Sequence, residues 1–179
     1  VLGDAGYFTF MTGKWHLGHF RGTPPFWRGF MRSLSSPIGE LYFPKQKQRY
    51  GDGVFLNAQM LKISDPKLGS NWYGPDLLTD WGLRFVDEAI AAKMPFFYYL
   101  PHSSVHFPLQ APRADIKRYR GKYLVGWDKL REERHRRQIE MGLVDPKWPL
   151  SQRAPDVPAW DSLSDKDKDH FDYLMAIYA

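Results

Sequence analysis

At 179 residues the chain is long enough for a domain with a sizeable core, and 43% apolar residues with 16% aromatics exclude wholesale disorder. It has no Cys, which excludes disulfides and thiolate metal sites, and no apolar run approaches the length of a membrane span or follows a charged leader. The net charge of +5 is uneven: residues 113–137 hold ten of the 25 Lys and Arg against four acids, the pattern of a solvated helix face with i,i+4 ion pairs more than of a nucleic-acid surface.

Taken in order, Leu2-Gly3-Asp4-Ala5-Gly6 reads as the last turn of a helix with its Gly stop, the helix body being expected upstream of Val1. Tyr7 to Met11 is aromatic and β-prone, and Gly13 is expected to end that strand. Ligand chemistry gathers at the carboxyl ends of strands in open α/β sheets. In an extended Lys14-Trp15-His16 segment the side chains of Lys14 and His16 share one face while Trp15 packs the other way. An ammonium beside an imidazole suits a doubly charged oxyanion, although a Lys-x-His pair in a loop is otherwise ordinary solvated surface.

Residues 19–30 carry Gly22, Pro24, Pro25 and Gly29 among Phe26, Trp27 and Phe30, a loop packed by aromatics. Residues 33–70 show little periodicity and read as a long excursion with at most a short hairpin, the Gly51-Asp52-Gly53 run marking a tight turn. Residues 76–93 form the clearest helix: Asp76 is expected to cap it, and Leu78, Trp81, Phe85, Val86, Ala89 and Ile90 recur at helical spacing. Pro95 stops it, and Phe96-Phe97-Tyr98-Tyr99-Leu100 is a continuous apolar run that fits a buried parallel strand. That strand leads into Pro101-His102-Ser103-Ser104-Val105-His106-Phe107-Pro108, where prolines at 108 and 112 exclude helix and hold His106 in a fixed orientation. His102 and His106 would share a metal only if the segment were helical, which those prolines oppose. A charged helix follows with Gly142 as its stop, then a Pro-rich connector over residues 146–158. Ser164 and Asp167 stand at capping-box spacing ahead of an apolar stripe of Phe171, Leu174, Met175 and Tyr178.

Gly6-Tyr7-Phe8-Thr9, followed by Gly13-Lys14-Trp15-His16-Leu17-Gly18, resembles the second signature of the sulfatase family. His106-Phe107-Pro108-Leu109-Gln110-Ala111-Pro112 is similar to the His-x-Pro-Leu-x-Ala-Pro motif that follows the corresponding strand in sulfatases. Arg28-Gly29-Phe30 and the Gly-Lys-Tyr, Gly-Trp-Asp-x-Leu-Arg and Val-Pro-Ala-Trp-Asp-Ser-Leu runs resemble bacterial arylsulfatases, residues 33–70 being the least matched. The resemblance implies an α/β, alkaline-phosphatase-like (sulfatase) fold, a mainly parallel sheet flanked by helices. The 179 residues would be the central part of a single catalytic domain, truncated at both ends.

The same resemblance implies a sulfuric ester hydrolase of arylsulfatase type. Lys14 and His106 would bind the sulfate. His16 and His106 would be catalytic, His16 hydrogen-bonding the formylglycine hydrate and helping release sulfate, His106 contacting the sulfate or the bridging oxygen. Ser35-Ser36-Pro37-Ile38-Gly39 lacks the Arg and the spacing of the formylglycine motif, so that nucleophile is expected outside this chain, as are the ligands of a Ca2+ ion. No metal ligand is assigned within the chain, and these residues alone are expected to be inactive. The implied partner is a small-molecule or glycan sulfate ester, with no nucleic acid, and the implied compartment is periplasmic or secreted. The alternatives are a phosphate or phosphonate ester hydrolase of the same superfamily and a non-catalytic anion- or glycan-binding module centred on residues 113–137.

Overall fold

The computed structural model describes residues 1–18, 20, 22–36, 41–44 and 53–179. They fall into two compact units, Val1–Gln110 and Ala111–Ala179.

In the first unit Ala5 N donates to Val1 O at 3.0 Å and Gly6 takes a φ of 83°, the helical turn and Gly stop expected there. The aromatic run beyond it forms β1 (Phe8–Lys14), buried along nearly its whole length. Strands β2 (Arg32–Ser36) and β5 (Phe96–Tyr99) flank β1, each parallel to it. A hairpin, β3 (Gly53–Leu56) and β4 (Gln59–Lys62), adds two antiparallel strands, giving the order β4-β3-β2-β1-β5. Asn57 makes the hairpin turn at a φ of 54°, a left-handed conformation that Asn tolerates better than most residues. It is locked there by exchange with Ser33: Asn57 N donates to Ser33 O at 2.7 Å, and its Oδ1 accepts from Ser33 N at 2.8 Å.

Helix α1 (Gly74–Ala91) covers one face of the sheet with Leu77, Leu78, Gly82, Phe85 and Ala89. Leu77 and Leu78 join Leu34 and Val54 of the sheet in one apolar cluster, and Phe85 and Ala89 join Phe8 and Phe10 in a second. Burying each of the larger side chains contributes about 1.5–3 kcal/mol, so this face holds the unit together. Phe10 meets Phe85 edge-on at 5.9 Å and stacks on Tyr98 at 4.7 Å. Gly82 is what admits Tyr98, because a Cβ there would overlap its hydroxyl. That hydroxyl lies 2.6 Å from Thr12 Oγ1, and burial pushes its pKa up. The opposite face carries the 3₁₀ turn Pro25–Arg28 and the aromatic loop around it: Thr9 Oγ1 donates to Gly29 O at 2.8 Å, and Phe30 stacks on Phe97 at 6.4 Å. The architecture is the expected α/β one, a five-stranded open sheet flanked by helices, with the hairpin making it mixed.

Several local expectations are corrected. Gly13 does not end β1, which runs on to Lys14. The short hairpin expected in residues 33–70 forms as β3 and β4, but β2 at Arg32–Ser36 was not expected; Gly51, Asp52 and residues 37–40 lie outside the described residues, as do His19 and Arg21. Helix α1 begins two residues earlier than expected, with Tyr73 as N-cap and Asp76 inside the first turn, where its charge suits the helix dipole. Ile90 is 63% exposed, so it does not belong to the buried face. Strand β5 is parallel as expected but not buried: Phe96, Phe97 and Tyr99 are exposed, because β5 lies at the sheet edge among the described residues.

The second unit comprises α2 (Arg113–Tyr119), α3 (Trp127–Glu140) and α4 (Asp165–Tyr178). The basic segment is thus two helices, broken at residues 120–126, and α3 buries none of its residues. Gly142 stops α3 at a φ of 70°, and Ser164 caps α4, accepting from Asp167 N at 3.2 Å. The expected apolar stripe of α4 is mostly overturned: three of its four residues, Phe171, Met175 and Tyr178, are exposed, and the buried positions are Asp172 and Ala176. Asp172 accepts from Arg120 Nη1 at 2.5 Å, from Gly121 N at 2.9 Å and from Tyr123 N at 3.0 Å, so a buried carboxylate ties the α2–α3 connection to α4. Asp128 tethers the Pro-rich connector, accepting from Trp160 N at 2.9 Å and from Arg153 Nη1 at 2.8 Å. Among the described residues no helix is long and apolar enough to cross a membrane.

Two outcomes follow for this unit. Asp172→Ala strands two backbone N–H groups and a guanidinium, and is expected to destabilise it by about 3 kcal/mol in denaturant unfolding. The Trp160 amide and the Arg153 guanidinium hold the Asp128 carboxyl below its ordinary value of 3.8. Its contribution is therefore full above that value and is lost as pH falls through the lower folded one. The stability gap between the unsubstituted chain and Asp128→Asn should be constant near neutrality and close at the acid end; a gap that persists through the acid range counts against the tether.

Candidate functional site

The expected site residues lie where the parallel strands finish. In register Lys14 is paired with Ser36, the last residue of β2, and Trp15 N donates to Ser36 O at 2.9 Å. On the other side Lys14 N donates to Pro101 O at 2.8 Å, beyond the last paired residues of β1 and β5. The two motif-bearing segments, far apart in sequence, are thus joined by their backbones at the carboxyl edge of the sheet. Gly13 permits this approach. Its φ is 142°, and a Cβ there would overlap the Pro101 carbonyl oxygen. The sequence signal for Gly13 was read as strand termination, whereas its physical role is to let two backbones touch.

Lys14 is half-buried, and among the described residues its ammonium has no carboxylate partner. An unpaired cation at the end of a buried strand is an electrostatic attractor for an anion. Trp15 packs away as expected: its indole N–H donates to Thr23 O at 2.7 Å, and its ring meets Phe30 edge-on at 6.0 Å. His16 is exposed. His106 is exposed too, in a non-helical turn, with its N–H donating to Ser103 O at 3.0 Å. Its Nδ1 lies 2.7 Å from Phe107 O. A carbonyl only accepts, so Nδ1 carries the proton and Nε2 is the outward atom, an acceptor in the neutral ring and a donor in the imidazolium.

No hydrogen bond or ion pair among the described residues joins the side chains of Lys14, His16 and His106 to one another; what the strand ends join is the backbone of Lys14 to that of Pro101, five residues before His106. Among the described residues no group of three or more His, Asp or Glu stands together so as to hold a metal ion. Sequence reasoning missed Tyr42, whose hydroxyl donates to the His106 carbonyl at 2.7 Å, and Gly74, whose N–H donates to Tyr42 O at 2.8 Å. Tyr42 stood among scattered aromatics with no spacing to single it out.

No protein-family model matches the chain. An uncharacterized sulfatase of Schizosaccharomyces pombe is 32% identical over 188 aligned residues, which cover 100% of this chain and 33% of that protein. An arylsulfatase of Klebsiella aerogenes is 27% identical, over 98% of this chain and 38% of its own length. The chain therefore spans about a third of the length of these relatives. Among solved structures, that of Ps i-CgsB in complex with k-i-k-neocarrahexaose matches with a TM-score of 0.56 and 31% identity, covering 65% of this chain and 28% of that one.

Gly13→Ala is expected to destabilise the first unit by at least about 2 kcal/mol, because it adds a strained φ to an overlap with backbone. Thermal unfolding of the substituted chain reads it directly, and an unchanged Tm would mean that the β1–Pro101 contact is dispensable.

Proposed function

We propose that this chain, a sulfatase homologue over nearly its whole length, is the central part of a single catalytic domain that hydrolyses sulfuric esters. What supports the reading most is the 2.8 Å bond from Lys14 N to Pro101 O, which seats a half-buried cation, unpaired among the described residues, beside the segment that carries His106. Hydrolysis of R–O–SO3⁻ requires an oxygen nucleophile at sulfur, neutralisation of charge on the transferring group and a proton for the departing oxygen. The nucleophilic oxygen is that of a formylglycine hydrate formed outside this chain. Lys14 binds the non-bridging oxygens and offsets their charge. His106 contacts the sulfate or the bridging oxygen, and in the latter case Nε2 of its imidazolium is the atom that delivers a proton as the ester bond breaks. His16 hydrogen-bonds on the nucleophile's side and holds a proton needed for sulfate release. Ca2+ is expected to be held by residues other than those described, and no role of Lys14, His16 or His106 depends on its position here.

The substrate is a small-molecule or glycan sulfate ester. The likeness to Ps i-CgsB, crystallised with a neocarrahexaose, supports an oligosaccharide as one such class. Of the ten Lys and Arg in residues 113–137, three pair within their own unit, Arg136 with Glu140 at 3.0 Å, Arg118 with Asp115 at 3.4 Å, and Arg120 with Asp169 and Asp172, which lowers but does not cancel the charge open to the binding-module alternative. Cations already engaged within their own unit attract polyanions less than bare ones do.

The test is turnover of 4-nitrophenyl sulfate against 4-nitrophenyl phosphate by the complete protein that carries this chain. Sulfate hydrolysis is expected to dominate, and Lys14→Ala to lower kcat/KM by about 10²- to 10³-fold. Preference for the phosphate ester would move the reading to the phosphoesterase alternative, and wild-type rates in the Lys14 variant would remove that residue from the site.

A further inference from the structure

His106 makes two hydrogen bonds within its own loop, to Ser103 O and to Phe107 O, and neither fixes that loop to the rest of the unit. The Lys14–Pro101 bond anchors the loop only at its start, five residues earlier. At His106 itself the anchor is Tyr42, whose side chain is 1% exposed and whose hydroxyl donates to the His106 carbonyl at 2.7 Å. Tyr42 is held in turn from the other side. Its carbonyl accepts from Gly74 N, at the first residue of α1, and its ring stacks on Tyr73 with centroids 6.4 Å apart. Gly74 has no room for a Cβ, which would overlap the Leu41 carbonyl, so the 41–42 backbone and the start of α1 are in direct contact. A chain of contacts therefore runs from the sheet-covering helix through Tyr42 to the backbone of His106.

We infer that Tyr42 is a positioning residue for His106: it fixes the height and orientation of that imidazole over the sulfate site, through a hydrogen bond, without touching the substrate. The inference rests on the sulfatase reading, in the case in which His106 protonates the departing oxygen. A misplaced acid matters most when the leaving group is basic, and misplacement by about 1 Å is enough to cost up to about a hundredfold in rate.

The experiment compares phenyl sulfate with 4-nitrophenyl sulfate in the complete protein, for the unsubstituted form, Tyr42→Phe, His106→Ala and the double variant. Phe keeps the ring and its stack on Tyr73 while removing the donor. Tyr42→Phe is expected to lower kcat for the phenyl ester about tenfold or more, with KM little changed, and to lower it for the nitrophenyl ester by no more than about threefold. In the His106→Ala background the same change should have no further effect. Equal losses on both esters, or losses that multiply with those of His106→Ala, would make Tyr42 a purely structural residue and overturn the inference. If Tyr42→Phe does not unfold cooperatively, 3-fluorotyrosine at position 42 keeps both ring and hydroxyl with a stronger donor; a changed ratio of the two rates supports the inference and an unchanged ratio overturns it. Failure of the unsubstituted protein to hydrolyse either ester would overturn the sulfatase reading, and this inference with it, an outcome distinguishable from the others because it needs no variant.

Discussion

The rim of the sheet depends on one close approach of backbone to backbone, in which Gly13 leaves room for Pro101 and the Lys14 amide donates to the Pro101 carbonyl at 2.8 Å. Such a bond has a net worth of about 1 kcal/mol, far less than the burial of Phe10, Phe85, Leu34 and Leu78 beneath α1. The apolar face therefore sets the stability of the unit, and the Gly13 contact sets its geometry. The division makes physical sense under the proposed anion-binding role of Lys14. A cation must be brought near the end of a buried strand without a carboxylate to neutralise it, and only a rigid frame can hold that arrangement against the charge's preference for water.

Much of this was legible in the sequence where one residue type reports one physical demand. The aromatic runs at residues 7–11 and 96–99 became strands, the helical spacing after Pro75 a helix, and the Ser164 cap and Gly142 stop stand where expected, because each acts locally; the exact bounds of β1 and α1 and the burial of β5 did not follow from them. Lys14 closes β1 and His16 comes two residues later, so their position near the carboxyl edge was legible from the strand; His106, seven residues past the end of β5, was not placed by the strand alone.

The remainder was hidden because its cause lies across the fold. Strand β2 reads Arg-Ser-Leu-Ser-Ser, with almost no apolar alternation, yet Ser33, Leu34, Ser35 and Ser36 are all buried, paired between β1 and β3. Asp172 sits in what reads as an apolar stripe, and its partners at Arg120, Gly121 and Tyr123 are about fifty residues away, beyond any periodicity. Tyr42 is the same case within the site: nothing nearby in sequence marks a phenol that bonds to a carbonyl 64 residues on. Gly13 was visible but read through its local habit of breaking strands, when its value here is the absence of a side chain.

Strand β5 has a consequence of its own. Phe96, Phe97 and Tyr99 are exposed, and among the described residues the strand pairs on one side only, with β1. Among the described residues its outer edge has no strand partner, and half-exposed aromatic rings stand on both faces beside it. In water that combination is a template for any other extended chain, including another copy of itself. Handling these 179 residues as an isolated polypeptide would thus be governed less by how well α1 packs than by self-association along that edge, which concentration and shielding of the strand would control.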